Sequence, residues 1–428
     1  MTFQPLARPR AARGAAGALL LIAAVLGTAI APAATAQSLA GPTATATPSA
    51  SPSPTTTASP SPTASPSPTV LPPTVTPATD VAYRTPADPV VDAERFAAFT
   101  FTSSTATKVT LNGSWGPSDA TMMISMSQGA GGVWTALIGP LGPGFYSYVI
   151  AADGKDVQDP LNPNHVRSLP IMQTFYVPGP SPIADATRDV PHGDLTTLTY
   201  SSAVTGSRRR ATVWTPPGQR TTAGLPALYL MHGGGGDDLQ WIQLAKANDI
   251  LDNLYAAHRI RPMVVVFPDG NVPGSVGLPE SDTFPTEIVD NVVPAVRAAY
   301  HVSAKASDRA LAGLSLGGLQ VFNTLLAKPG AFPVLGDFSS GYFPTVISQL
   351  RSQDEALLKN PAVNQRTKLL RIYIGNRTDI AYANNAATRQ LLDDYGVRYE
   401  FGGVYPKAGH VWETWQANLM DFAPRLFH

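Results

Sequence analysis

From residue 83 to about 180, apolar and polar positions alternate in short runs: Ala97 to Phe101, Lys108 to Leu111, Met122 to Met126, Val133 to Ile138 and Gly144 to Ile150. Turn clusters at Asn112-Gly113, Gly129 to Gly132 and Asp153-Gly154 separate them, and no helical stretch intervenes. A period of two turns one face of each run into a core, so this stretch predicts a small all-β sandwich over 83–180. Its aromatics, Trp134 and Phe145 to Tyr148, are expected in that core and in the contact with the next domain, because alternation buries half of them. After prolines at 178, 180 and 182 the period changes. Over 190–428, apolar strands alternate with helical stretches, which predicts an α/β domain with a predominantly parallel sheet covered by helices. The expected strands are Leu195 to Tyr200, Ala211 to Thr215, Ala227 to Met231, Met263 to Phe267, Ala310 to Leu314, Val334 to Phe338, Leu369 to Ile374 and Val397 to Phe401.

The first 82 residues follow neither pattern. Arg8, Arg10 and Arg13 precede the apolar run Gly14 to Ile30, and Ala34-Thr35-Ala36 offers small residues for cleavage. Residues 1–36 are therefore expected to be a secretory signal peptide. Residues 37–82 are Ser-, Thr-, Pro- and Ala-rich, with repeats such as Ser51-Pro52-Ser53-Pro54. They have too little apolar surface to offset the entropy of ordering, so an extended, disordered linker is expected.

Charge and cysteine usage narrow the function. Thirty basic residues balance 30 acidic ones, so no net field draws the chain to nucleic acid or to an anionic membrane, and neither is an expected partner. Zero cysteines exclude a disulfide framework, a thiolate metal site and a cysteine nucleophile. The mature chain is expected to be released as a soluble extracellular protein.

The chemistry gathers where the predicted strands of the second domain end, which is where open α/β sheets bind ligands. Gly313-Leu314-Ser315-Leu316-Gly317-Gly318 follows the run Ala310 to Ala312 and precedes a helical stretch from Leu319 to Ala327. Strand, glycine-flanked serine and helix together form the setting of a nucleophile elbow, with Ser315 as nucleophile. A serine hydroxyl is nearly inert at neutral pH and needs a base. Of seven histidines, His410 follows the last strand, the place that the order Ser, Asp/Glu, His requires. The carboxylate should follow the strand Leu369 to Ile374, which selects Asp379; Asp393 and Asp394 lie within the helical stretch Asn385 to Tyr395 and are expected to be solvated. Oxyanion donors are expected from the amide of Leu316 and from the loop His232 to Gly236, at Gly233 or Gly234. Trp241, Tyr342 and Trp412 are expected to line the substrate pocket. Asp237-Asp238 lacks further spaced ligands and is expected to cap the next helix; no metal or cofactor is expected. The site so described is that of a serine hydrolase.

From about Val190 onward the chain resembles the α/β-hydrolase family of esterase D, enterochelin esterase and the feruloyl and acetylxylan esterases. The matching segments include Pro191-His192-Gly193, Val213 to Gly218, Leu230 to Gly236 with Trp241, Ile250 to Leu254, Ala312 to Gly318, and Gly409 to Trp415. The preceding β domain is similar to the immunoglobulin-like module found before such esterases, including Asp159-Pro160-Leu161-Asn162-Pro163. The resemblance implies the triad Ser315, Asp379, His410 and a secreted esterase acting on an ester substrate, with feruloyl or acetyl groups on plant polysaccharide the first expectation. Esterases for other compounds, such as siderophore lactones, and sugar acyltransferases are the alternatives. The family's final motif often continues Trp-Arg, whereas Gln416 follows Trp415 here. The sandwich is expected to steady the hydrolase rather than shape its chemistry, so that its loss would leave small-ester hydrolysis nearly unchanged.

Overall fold

The computed structural model describes residues 71–79, 81, 84–116, 121–167, 169–178 and 189–428. The expected signal peptide, the linker up to residue 70 and the joint after residue 178 lie outside the described residues. Among the described residues, no helix is long and apolar enough to cross a membrane.

The linker was expected to continue without structure to residue 82, and this is corrected. Thr74–Pro77 forms a strand, β1, paired antiparallel with Asp194–Ser202 (Thr74 opposite Thr199, Pro77 opposite Thr196). The Ser-Pro repeats stop at Pro68, and Thr74-Val75-Thr76 supplies β-branched residues in their place. Arg208 secures the segment by donating to the Pro72 carbonyl at 3.1 Å and the Thr74 hydroxyl at 3.3 Å.

Ten strands follow in two antiparallel sheets. One holds β2 (Val90–Val91), β3 (Ala97–Thr102), β6 (Ser127–Gln128) and β7 (Val133–Ile138), in the order β2-β3-β7-β6. The other holds β4 (Val109–Gly113), β5 (Met122–Ser125), β8 (Gly144–Ala152), β9 (Lys155–Val157), β10 (His165–Val166) and β11 (Leu169–Val177), in the order β10-β11-β8-β4-β5 with β9 on β8. Both contribute to one core. Phe99 of the first sheet lies edge-on to Tyr148 and Phe175 of the second, at 5.1 and 5.4 Å, with Trp134 and Leu111 in the same cluster. The strand β11 escaped the sequence reading because Pro170 interrupts its alternation; it falls where the β10–β11 register shifts, a place that tolerates proline.

The second unit is built on a nine-stranded sheet. Its strands are β1, β12 (Asp194–Ser202), β13 (Ser207–Thr215), β14 (Ala227–Met231), β15 (Val264–Pro268), β16 (Arg309–Leu314), β17 (Val334–Phe338), β18 (Leu369–Ile374) and β19 (Glu400–Val404). The order is β1-β12-β13-β15-β14-β16-β17-β18-β19, parallel from β15 to β19 and antiparallel at the β1 end. The strands β14 and β15 at its centre are apolar throughout because both faces are covered. Tyr229 and Met231 join one core cluster, and Leu228 and Leu230 join the other. Helices α1 (Gln240–Ala245), α2 (Ala247–Ala256) and α6 (Trp412–Phe422) fill the second cluster with Ile242, Leu251 and Phe422. On the opposite face, α3 (Val293–Tyr300), α4 (Leu316–Ala327) and α5 (Tyr382–Asp394) contribute Val296, Phe322 and Leu391. Each such side chain stabilises the fold by roughly 1.5–3 kcal/mol, so the sheet is a rigid base for whatever its ends carry.

Candidate active site

Between β16 and α4 the chain reverses within one residue. Ser315 has φ 52° and ψ −117°, a conformation that costs a non-glycine residue on the order of 1–3 kcal/mol and that recurs at functional turns. The neighbouring chain packs too closely for side chains. A Cβ on Gly313 would lie 2.5 Å from the Gly317 carbonyl, and one on Gly317 would lie 2.5 Å from the His232 oxygen. The Ser315 amide donates to the Phe338 carbonyl at 2.9 Å, which ties the turn to the adjacent strand. The hydroxyl is thereby lifted above the sheet, with the N-terminus of α4 behind it. The Leu316 amide, the first of that helix, has no intrahelical acceptor.

His410 reaches the serine from the loop between β19 and α6. Its Nε2 lies 3.0 Å from Ser315 Oγ, and its Nδ1 lies 2.8 Å from Asp379 Oδ1. An ionised carboxylate only accepts, so Nδ1–H donates to Asp379 and the Nε2 lone pair is left to accept from the Ser315 hydroxyl. Asp379 follows β18 and is buried. Its Oδ1 also accepts from the Ala381 amide at 2.9 Å, and its Oδ2 from the Gly375 amide at 3.0 Å. Burial opposes its ionisation, yet the His410 hydrogen bond, the charge of that ring and the Ala381 amide together hold its pKa below the usual carboxylate value. Trp415 meets the His410 ring edge-on at 5.0 Å and limits its rotation. The structure thus brings Ser315, His410 and Asp379 into one hydrogen-bonded line. Asp394, the alternative acid, is far from it in contact terms: it pairs with Arg351 and Gln390 at the surface.

The loop after β14 lies against the nucleophile. A Cβ on Gly233 would be 2.5 Å from Leu314 Cδ1 and 3.4 Å from Ser315 Cβ, so only glycine brings the backbone this near. Gly233 to Gly236 form a tight turn closed by the Gly236 amide on the Gly233 carbonyl at 3.1 Å, with Gly235 at φ 75°. His232 is buried and fixes that carbonyl further. Its Nε2 accepts from the Gly270 amide at 2.8 Å, so the proton sits on Nδ1, which donates to Gly233 O at 2.7 Å. In a trans peptide the next N–H points away from the carbonyl. The Gly234 amide therefore faces the other side, and it has no acceptor among the described residues. The Gly233 amide donates to Gln240 Oε1 at 3.3 Å. Of the two donors left open by the sequence, Gly234 is the one with a free N–H.

The pocket residues need correction. Trp241 is buried, with Nε1 donating to the Met231 carbonyl at 2.9 Å and its ring edge-on to Phe338 and Trp412. Tyr342 is buried too, with its hydroxyl on Asn323 Oδ1 at 2.7 Å and its ring against Phe322. Both support the site from within the core and do not line a cleft. Trp412 is partly exposed, stacked edge-on against Trp415 at 4.9 Å.

Three features escaped the sequence reading. Asp337, at the end of β17, is fully buried beside the elbow, where a Cβ on Gly318 would lie 2.2 Å from its Oδ1. Burial, reinforced by the charge of Asp379, pushes its pKa well above the ordinary value. His192 is held by Asp252 at 2.9 Å, and Asp252 also accepts from the Gly193 amide and Trp214 Nε1. Asp249 adds a third ligand-type atom within 4.8 Å, but the Asp252 carboxylate is already committed to three donors. Finally, Asp237 and Asp238 face Arg167 of the two-sheet unit. Asp237 accepts from the Leu239 amide at 2.9 Å in the turn before α1, whose N-cap is Leu239 without a side-chain cap bond, so the expected helix cap is not formed.

The Esterase family model matches residues 202–426, more than half of the chain. The chain belongs to the esterase family. It is 29% identical over 351 residues to an endo-1,4-beta-xylanase/feruloyl esterase of Xylanibacter ruminicola, covering 79% of this chain and 46% of that protein. It is 28% identical over 227 residues to an uncharacterized protein of Corynebacterium glutamicum, covering 47% of this chain and 53% of that one. The chain spans about half the length of these curated relatives. Among solved structures, the enterobactin esterase of Shigella flexneri matches with a TM-score of 0.56 at 18% identity, over 77% of this chain and 92% of that one. The ferric enterobactin esterase of Salmonella typhimurium matches with 0.54 at 16%, over 78% and 94%. These likenesses are of fold.

Proposed function

We propose that this esterase works through an acyl-serine intermediate, and the observation that carries the reading is the line from Ser315 Oγ through His410 to Asp379. Ser315 Oγ attacks the ester carbonyl carbon while its proton passes to His410 Nε2. Asp379 holds the imidazole in the tautomer that accepts and offsets the charge it gains. The carbonyl oxygen becomes an oxyanion met by the amides of Leu316 and Gly234. Collapse expels the alcohol, which takes the proton from His410, and water repeats the sequence to release the acid. No cofactor or metal enters any step.

The substrate is a carboxylic ester, and feruloyl or acetyl esters on plant polysaccharide are the favoured class. Support comes from the xylanase/feruloyl esterase relative, which is similar over most of this chain. Secretion fits that role and rests on the arginines, apolar run and small residues of 1–36 with the Ser/Thr/Pro stretch of 37–82. The two-sheet unit is read as the immunoglobulin-like module of such esterases.

Hydrolysis rates on methyl ferulate, acetylated xylan and short-chain nitrophenyl esters test the substrate class. Ser315→Ala tests the mechanism, with an expected loss on the order of 10⁶ in kcat. Activity within tenfold of the parent would remove Ser315 from the reaction. Equal rates on every ester would remove the preference for feruloyl or acetyl groups.

A further inference from the structure

The turn that presents Gly234 is followed at once by two buried carboxylates, Asp237 and Asp238. Such charges are stable only when paired. Their partner comes from the other unit: Arg167, between β10 and β11, donates through Nε to Asp237 Oδ2 at 2.9 Å and through Nη2 to Asp238 Oδ1. The planar guanidinium meets both acids at once, which a point charge does not do. The same hairpin places Leu169 over the turn, so that its Cδ1 would lie 3.3 Å from a Cβ on Gly235. From the hydrolase side, Asn271 Nδ2 donates to the Gly236 carbonyl at 2.8 Å and the Thr212 hydroxyl to Asp238 Oδ2 at 2.8 Å. Both ends of the turn are thus fixed: His232 and Gly270 hold its start, and Arg167 holds the two residues after its end.

We propose that Arg167 is a positioning residue for the reaction: by bridging Asp237 and Asp238 it sets the register of the Gly233–Gly236 turn and so the direction of the Gly234 amide. The two-sheet unit is then part of the oxyanion apparatus, contrary to the expectation that its loss leaves small-ester hydrolysis nearly unchanged. The proposal rests on the acyl-serine reading above, because only an oxyanion gives the Gly234 amide a task.

The test uses the full chain with Arg167→Met, Arg167→Lys, Arg208→Met and Ser315→Ala. Nitrophenyl acetate is the substrate, and an aryl trifluoromethyl ketone, which serine attack converts into an oxyanion, is the inhibitor. A lost oxyanion donor costs about 10²–10³ in kcat, so a displaced one in Arg167→Met should cost roughly 10- to 100-fold, with KM within about twofold. The inhibitor should weaken by the same factor, a correlation that a general loss of folded protein does not produce. Arg167→Lys should recover part of the loss, and Arg208→Met, which removes bonds to Pro72, Thr74 and Thr199 but none to Asp237 or Asp238, should match the parent. Parent-like kcat in Arg167→Met, or a kcat loss with unchanged inhibitor affinity, overturns the proposal. If Arg167→Met does not fold, Arg167→Lys decides: a loss of about threefold or more shared by kcat and inhibitor supports it, and parent values overturn it. Ser315→Ala separates the two ideas. Retained activity there defeats the acyl-serine reading itself, whereas a dead Ser315→Ala beside a parent-like Arg167→Met defeats only the bridge.

Discussion

Asp379 and Asp394 are both aspartates near the end of the chain, and their surroundings separate them. Asp379 is buried and accepts from His410, Ala381 and Gly375, whereas Asp394 is surface-exposed beside Arg351. Asp379→Asn reverses the favoured imidazole tautomer and should lower kcat by roughly 10⁴, while Asp394→Asn should stay within a few-fold. Steady-state kinetics on one aryl ester decides it, and the reverse ranking would move the acid to the other position. Asp337 calls for a different measurement. Its folded-state pKa is raised, so the native chain keeps a proton that the unfolded chain releases above about pH 3.9. Its contribution therefore falls as pH rises from that value towards the folded pKa. Asp337→Asn, which carries no charge, should be more thermostable than the parent at pH 8, with the gap closing towards pH 4. A gap that does not change with pH would show that Asp337 is ionised in the folded chain. Ser315, His410 and Asp379 were legible as a set because glycine spacing and chain order mark them locally. Asp337 and Arg167 were not, because their importance comes from burial and from a partner 70 residues away.

At the level of elements, strands buried on both faces were the easiest to read. Ala227–Met231, Val334–Phe338 and Leu369–Ile374 appear with the boundaries that their apolar runs predict. The last strand was displaced: expected from Val397 to Phe401, it runs Glu400–Val404. Val397 is buried, but its amide bonds the Leu392 carbonyl at the end of α5, so it seals the helix and does not begin the strand. Gly402 and Gly403 then weaken the strand signal where pairing occurs. The edge strand β1 was missed because a four-residue Thr/Val/Pro stretch after a long Ser/Thr/Pro-rich run carries almost no periodicity. Its place depends on Arg208, whose bonds to Pro72, Thr74 and Thr199 lie outside the sheet ladder. Losing them should cost about 1–2 kcal/mol, which is less than the pairing contributes. In Arg208→Met the amides of Thr74 to Thr76 should exchange hydrogen roughly tenfold faster while those of β16 are unchanged. Unaltered exchange at β1 would show that the strand holds without this arginine.

The whole chain is not two domains joined by one tether. The nine-stranded sheet takes β1 from before the two-sheet unit and its other strands from after it, so the unit is inserted between neighbouring strands of one sheet. Both of its ends are consequently anchored in the hydrolase. Side-chain contacts close the arrangement: Arg167 meets Asp237 and Asp238, and Lys246 Nζ lies 4.3 Å from the Tyr176 ring centroid and 5.8 Å from that of Phe145. Inter-domain interfaces of ordinary size leave domains free to unfold separately. Here a buried charge cluster opposes that, because opening the interface would leave Asp237 and Asp238 without their cation, and breaking a buried pair costs about 3–5 kcal/mol. Arg167 keeps some solvent exposure, so the low end of that range applies. Differential scanning calorimetry on the full chain should therefore show one transition with matching calorimetric and van't Hoff enthalpies. Arg167→Met should lower its midpoint by several degrees and broaden it, as the two units begin to unfold apart. Two well-separated transitions in the parent would show that the insertion and the arginine bridge do not couple the units.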